Sequence, residues 1–339
     1  MPEPQIATMA DVAARAGVSV ATVSRALRGS ELVSAPTAAR IRSAATELGF
    51  SISRSASALA TGRLGRIAVL VGGRLNSWFN GTILDAIYGR LRQADHELLI
   101  FRILGVADRD DFFTTLPARR NADAIVVVSF ALSAAERSRL GALSMPIVYL
   151  NQRARGAASV AIDDAAGVRA GMRYLANLGH RRIAFARVEN RVGLRYSAVE
   201  RIDGFRSEQA VAGVPVADQL IVTAADVRDG DGLLGQLLAV QELPTAVLVD
   251  TDELAISLLE AMSRVGLRAP QDLSVLGFDD HAMAASFGLS TIAQPVDALG
   301  AEAATMALTL AAGQAPARKR VVMPTRLVPR RTTARPANG

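Results

Sequence analysis

Seven residues that suit contact with a nucleic acid duplex crowd into one short stretch: Ser19, Val20, Ala21, Thr22, Ser24, Arg25 and Arg28. A guanidinium such as that of Arg25 can donate two hydrogen bonds to one guanine edge. Ser19, Thr22 and Ser24 are short hydroxyls that suit phosphate oxygens. Val20 and Ala21 offer only apolar contact, for example to a thymine methyl. A second group suits a small ligand. Trp78 is the only tryptophan, and with Phe79 it offers a face on which a ring or sugar can stack. Arg74, Arg102, Phe130, Asn151, Asp163 and Arg187 each lie just past a run that reads as a strand. Asp279, Asp280 and His281 stand side by side and raise the question of a metal site or an acid–base pair. Adjacent residues in one turn rarely converge on a point. The chain also has three histidines and no cysteine, so neither a metal, a cofactor nor catalysis is expected.

Short helices must present the first group. Thr8 reads as an N-cap with Asp11 three residues on, close to a capping box, and it is also counted as a candidate DNA contact. Val12, Ala13 and Ala16 share a face, and Gly17 ends the helix because glycine accepts the left-handed conformation of a tight exit. Ser19 can cap a second helix in which Val23, Ala26 and Leu27 point inward, leaving Val20, Ala21, Ser24, Arg25 and Arg28 outward. A third helix starts at Ser34 with Pro36 in its first turn, and Gly49 stops it. Two short helices joined by a glycine turn make a helix-turn-helix, whose second helix fits the major groove. The same spacing also suits an ordinary three-helix packing unit.

The second group needs a different frame. From residue 67 aliphatic runs recur at Ile67–Val71, Leu98–Phe101, Ile125–Val128 and Ile147–Leu150, with amphipathic stretches between. The rhythm resumes at Ile183–Phe185, Leu220–Val222, Ala246–Val249 and Leu273–Gly277. This is the pattern of parallel sheets covered on both faces, in two α/β subdomains. Ligands in such sheets bind beyond the carboxyl ends of the strands, which here means a cleft between the subdomains.

Composition narrows the class. Half of the 339 residues are apolar, enough for sizeable cores in two or three domains. The absence of cysteine removes disulfides, thiolate metal sites and a cysteine nucleophile. The aliphatic runs are far too short to span a bilayer. The first thirty residues lack the apolar core of a secretory leader, so a cytoplasmic protein with no membrane partner is expected. Charge is uneven: residues 1–66 carry net +4, residues 317–339 net +7, and residues 67–316 net −5. Basic ends on an acidic body suit a polyanionic partner, or a solvated arginine-rich surface.

The residues themselves carry a resemblance. TMADVAARAGVSVATVSRALRGSELVSAPTAARIRSAATELGF, positions 8–50, closely resembles the DNA-binding headpiece of the lactose-repressor/galactose-repressor (LacI/GalR) family. The body is similar to that family's core at IAVLVGGRLNSWF (67–79), NLGHRRIAF (177–185), ERIDGF (200–205), DLSVLGFDD (272–280) and PTRLVPRR (324–331). The resemblance implies a small all-α helix-turn-helix headpiece over 1–50 and a hinge helix or linker over 51–66. It further implies an α/β periplasmic-binding-protein-like core of two doubly wound parallel-sheet subdomains, 67–161 with 293–321 and 162–292 with 322–334, and a tail at 335–339. Three crossings are expected, near 161, 292 and 322. By resemblance the hinge helix pushes Leu59 into the minor groove, with Ala56 three residues before it. Such a wedge kinks the duplex at a cost of a few kcal/mol, offset by added contacts. Read without the resemblance, Leu59 is a leucine in a serine-rich linker. Arg201 matches the family arginine that grips the effector, through five donors in a fixed fork. Asp279 matches the family's acidic effector ligand, although a helix cap would also suit it. Thr251-Asp252 stands where the family usually has Asn-Asp, which adds Asp252 to the candidates. Arg28 replaces the usual asparagine, Ile52-Ser53 replaces Pro-Asn, and Gly72-Gly73-Arg74 replaces Pro-Asp-Ile.

The reading is then a ligand-responsive regulator of transcription, expected to be a repressor, binding a near-palindromic double-stranded DNA operator as a homodimer. A sugar or sugar derivative is the expected effector, with a nucleobase or small acid also fitting the candidate residues. The helix following Gly81, with Leu84, Ile87, Tyr88 and Leu91, is expected to form part of the dimer interface. The stretch RTTARPANG has no heptad leucines, so no tetramer-forming coiled coil is expected. A ligand-binding protein without DNA function and a sugar-processing enzyme are the alternatives. The headpiece opposes the first, and the lack of a P-loop, a Gly-x-Ser-x-Gly elbow and zinc spacing opposes the second.

Overall fold

The protein is seen in a computed structural model that describes residues 7–27, 32–50, 63–129, 132–152, 154, 156–189, 197–212 and 219–336. Arg28, Ala56, Leu59 and Phe130 lie outside the described residues. The chain divides into two compact units, Met1–Gly65 and Arg66–Gly339.

The first unit holds three helices, α1 (Met9–Ala16), α2 (Val20–Leu27) and α3 (Ala35–Glu47). Thr8 and Asp11 make a full capping box: the Thr8 hydroxyl accepts the Asp11 N–H, and the Asp11 carboxylate accepts the Thr8 N–H at 2.8 Å. Gly17 sits at φ 64°, the left-handed exit that a side chain would strain. Ser19 Oγ accepts the Thr22 N–H at 3.2 Å and so supports the start of α2. Val12, Ala16, Val23, Ala26, Ile41 and Ala45 pack into one small core.

The second unit is built from parallel strands alternating with helices. In chain order they are β1 (Arg66–Gly72), α4 (Trp78–Gln93), β2 (Glu97–Ile103), α5 (Val106–Thr115), β3 (Ala124–Val128), α6 (Ala134–Gly141), β4 (Ile147–Leu150) and β5 (Ala158–Ile162). There follow α7 (Asp164–Asn177), β6 (Ile183–Val188), α8 (Ser197–Val211), β7 (Ile221–Ala224), α9 (Gly230–Leu238), β8 (Ala246–Val249), α10 (Asp252–Arg264), β9 (Ser274–Asp279), α11 (Ala284–Phe287) and β10 (Ser290–Ala293). The last elements are α12 (Val296–Ala311), β11 (Arg320–Met323) and β12 (Arg326–Val328).

Two six-stranded sheets result, in the orders β11-β5-β4-β3-β1-β2 and β12-β10-β9-β8-β6-β7. Every pairing is parallel except β10 with β12. The chain passes from the first sheet to the second after β5, returns after β10, and leaves again after β11. β1, β3 and β8 are buried almost end to end, which is why their sequences are unbroken aliphatic runs. Phe185, Phe205 and Phe278 are wholly buried in a core cluster that takes side chains from both sheets. Burying one such side chain stabilises by roughly 1.5–3 kcal/mol.

One expectation is corrected here. Leu84, Ile87 and Leu91 do not face outward for a partner chain; they are buried, and α4 lies against α12 and β2. The stripe at i, i+3 and i+7 is the inward face of α4, and Tyr88 is the exposed member of the set.

Candidate DNA-reading helix and ligand cleft

In the first unit, α2 turns Val23 and Ala26 inward and leaves Val20, Ala21 and Arg25 exposed. Val20 is 46% exposed, so its side chain can meet an apolar group outside the chain. Arg25 has no ion pair among the described residues, so its guanidinium is available to an external acceptor. Ser19 and Thr22 hold each other through their hydroxyls at 2.8 Å, which uses one O–H and leaves the other free to donate to a phosphate oxygen. Thr8 is occupied by the capping box, its hydroxyl donating to Asp11 at 2.7 Å. Ser24 is half-buried on the same helix.

In the second unit, the carboxyl ends of both sheets face a cavity of about 350 Å³. The first sheet contributes Arg74, Phe79 and Asn80 after β1, Ser129 after β3 and Asn151 after β4. The second contributes Arg228 after β7, Thr251 and Glu253 after β8, Asp279 at the end of β9 and Gln294 after β10. Arg201, from α8, forms part of the wall.

Arg201 is almost wholly buried and organises this wall. Its Nε donates to Asp164 at 2.7 Å, and Nη1 donates to the Asp250 carbonyl. Both terminal nitrogens lie 3.5 Å from Asp279 Oδ1, and the guanidinium carbon lies 3.7 Å from the centre of the Phe278 ring. Burial alone would lower the Arg201 pKa, but Asp164 and Asp279 outweigh it and raise the value, so the cation persists. Asp279 Oδ1 also accepts from Gln294 Nε2 at 2.7 Å. Its backbone stands at φ 130°, an uncommon setting held by these contacts.

Two buried acceptors in the cavity are unmet. Asn151 gives its amide N–H to Ser129 at 3.0 Å, and Gln294 gives its own to Asp279, yet the side-chain oxygens of both find no partner among the described residues. A buried acceptor left so costs about 1–3 kcal/mol. A ligand bearing hydroxyl or N–H donors removes that cost.

Of the candidates named from sequence, Arg74, Phe79, Asn151, Arg201 and Asp279 come together at this cavity. Trp78, Arg102, Asp163, Arg187 and Asp252 are not among its lining residues. Trp78 starts α4, and successive helical residues point about 100° apart, so Phe79 faces the cavity while Trp78 turns to His281, ring centres 5.3 Å apart. Arg102 is exposed on β2, the edge strand of the first sheet. Asp163 caps α7 by accepting the Ala166 N–H at 2.9 Å. Arg187 donates to Thr223 at 3.2 Å. Asp252 is buried, accepting from the Thr291 hydroxyl at 2.7 Å and the His281 N–H at 2.8 Å. The three adjacent groups of the 279–281 turn diverge: Asp279 to Arg201 and Gln294, Asp280 to Arg330 at 2.7 Å, and the His281 ring to Trp78.

Sequence reasoning missed Ser129, Arg228, Glu253 and Gln294 at the cavity, and Asp164 and Asp250 behind Arg201. The strand-end rule, applied to β3, chooses Phe130 over its neighbour Ser129; applied to β7, it leads toward Arg228. Gln294 carried no local signal, because it follows a four-residue strand and sits where the chain crosses between sheets.

The comparisons with known proteins agree with this geometry. Residues 8–53 match the family described as bacterial regulatory proteins, lacI family, and residues 172–333 match the periplasmic binding protein-like domain. The transcriptional regulator GntR of Pseudomonas aeruginosa is 33% identical over 316 residues, 91% of this chain and 90% of the relative. The transcriptional regulator GalS of Salmonella typhimurium is 32% identical over 311 residues, 90% of each. A crystal structure of the Lac repressor dimer bound to operator and the anti-inducer ONPF superposes with a TM-score of 0.84 at 27% identity, covering 97% of this chain and all of that one. A helix-turn-helix unit followed by a two-sheet core with a cleft defines a DNA-binding regulator of transcription, not an enzyme. The chain belongs to the LacI family.

Proposed function

We propose that this regulator is a repressor that binds a near-palindromic operator as a homodimer, and that a sugar or sugar derivative in the cleft sets its operator affinity. The observation that carries the ligand reading is the cavity shared by both sheets, where Asn151 and Gln294 hold unmet acceptor oxygens beside the Arg201–Asp279 pair. Hydroxyl donors of a polyol complement such oxygens, and Phe79 offers a stacking face. A ligand touching both sheets favours one angle between them, which is how binding here is transmitted.

On the DNA side, Arg25, Val20 and Ala21 are assigned to base edges and Ser19, Thr22 and Ser24 to phosphates, while Thr8, whose donors are both taken by Asp11, serves to start α1. Arg28, Ala56 and Leu59 are assigned by resemblance, Leu59 as the minor-groove wedge. A dimer is needed because one short helix reads too few bases to mark a genomic site. Among the described residues no helix is long and apolar enough to cross a membrane. A regulator whose ligand is the chromosome is placed in the cytoplasm, on the nucleoid when bound.

The test is to select binding sequences from a randomised duplex library with the full-length protein. Binding to the selected duplex is then measured with and without each sugar that raises the melting temperature. A symmetric selected site whose affinity shifts at least several-fold with one such sugar is the expected result. No enriched sequence, or no sugar that shifts binding, overturns the proposal.

A further inference from the structure

The amino end of the first sheet is cationic. All its strands run parallel, so their amino ends lie at one edge and their carboxyl ends, with the ligand cavity, at the other. At the amino edge the segments leading into β2, β3 and β11 carry Arg92, Arg119, Arg120, Arg318, Lys319 and Arg320, all exposed. None of the six has an ion pair among the described residues. The acids nearby are Asp95, Glu97 and Asp123. Glu97 is taken by Arg66 at 2.8 Å, and Asp123 accepts the Arg66 backbone N–H at 3.1 Å. A cationic edge remains: three of its six cations lie in 67–316, whose net charge is −5, and three in 317–339, whose net charge is +7.

Arg66 begins β1, so the chain from the DNA-binding unit enters the core at this same edge. Residues 51–65 form the tether, and fifteen residues reach at most about 50 Å. A connection of that length allows this edge to reach phosphates that flank a duplex bound by the first unit. Four strand spacings separate β11 from β1, roughly 19 Å. Along that length a duplex presents on the order of ten phosphate charges.

We infer that this edge is a second DNA-contacting surface, binding the phosphate backbone beside the half-site without reading sequence. It rests on the DNA-binding reading but is separable from it. A contact of this kind adds affinity and salt dependence and leaves base preference alone.

The experiment uses the full-length chain, the triple variant R318Q/K319Q/R320Q and the double variant R119Q/R120Q. All substituted positions are exposed, and equal melting temperatures serve as the control for folding. Each protein is titrated between 50 and 200 mM salt (a range spanning about four-fold in ionic strength). One duplex is trimmed to the selected site, and the other carries an added 20 base pairs on each side (about two helical turns). The wild type is expected to bind the longer duplex more tightly, with a salt slope steeper by about 2 or more. The triple variant is expected to lose roughly ten-fold on the longer duplex and to keep its affinity for the trimmed one and its sequence preference. Equal slopes for the wild type on both duplexes, or variants that retain the difference, overturn the inference. If selection enriches no sequence, the operator reading fails. The same titration on a random duplex then still decides whether this edge binds phosphate.

Discussion

Asp252 shows how a single residue can be legible in type and illegible in role. As the acidic half of Thr251-Asp252, which stands where the family usually has Asn-Asp, it reads as a ligand contact by resemblance. The fold instead buries it beneath the 279–281 turn, where β9 passes so close that a Cβ on Gly277 would stand 2.0 Å from Asp252 Oδ1. Burial pushes its carboxyl up to about 6; the Thr291 hydroxyl and the His281 N–H pull the other way, and the Asp280 charge adds to the rise. In the unfolded chain an aspartate titrates near 3.9. Between those values the native state holds a proton that the unfolded chain has lost, so stability falls as pH rises from about 4 to 6 and then levels. The size is roughly 3 kcal/mol at most. Asp252→Asn should flatten that segment of the stability–pH curve, measured by urea denaturation at several pH values. A slope equal to that of the wild type would refute the assignment. Arg201 is the opposite case. Its importance was legible through family resemblance, but its partner Asp164 lies 37 residues away on α7, and no local pattern announces that pairing.

Among elements, the readable ones were those whose burial is uniform or whose ends are chemically marked. β1 and β3 are buried runs, and α1 and α3 carry a capping box and an early proline. β5 was harder, because Ala158-Ser159 opens it with small residues and its apolar character rests on Val160 and Ile162. β11 alternates exposed and half-buried positions at a sheet edge, which leaves no apolar run to find. The first turn of α4 was legible as a site, but not in which aromatic faces the cavity, since that depends on helix phase. The phase has a measurable consequence. Trp78 belongs to the first sheet's helix and His281 to a turn of the second sheet, so their contact joins the two subdomains. Trp78 is the sole tryptophan and therefore reports this contact alone. His281→Ala should expose the indole and move its emission to longer wavelength. A sugar that changes the angle between the sheets should move the wild-type emission and leave the variant nearly still. Identical emission in the variant and the wild type without ligand would show that the rings do not meet in solution.

For the whole molecule, the sequence revealed the two ends of the mechanism more clearly than the path between them. The helix of residues 20–27 and the strand-end residues were readable because each is a local arrangement. The coupling depends on two sheets that share one apolar core and are joined by three crossings, a property of long-range packing. Thermodynamics nonetheless constrains it tightly. If a sugar in the cleft changes operator affinity by some factor, the operator must change sugar affinity by the same factor and in the same direction. Coupling of about 1–3 kcal/mol is typical, corresponding to roughly 5- to 150-fold. Titrating the sugar by calorimetry into free protein and into protein saturated with its selected duplex gives one ratio. Titrating the duplex with and without saturating sugar gives the other. The two ratios should agree whether the sugar releases the DNA or tightens the complex. Agreement at a factor near one would mean that the cavity binds its ligand without regulating anything. Disagreement beyond error would mean that the cycle does not close as drawn, because more than one sugar binds per chain or because the oligomeric state changes during the titration. Sedimentation with and without sugar separates those two causes, because a cleft ligand that only re-angles the sheets leaves the mass unchanged.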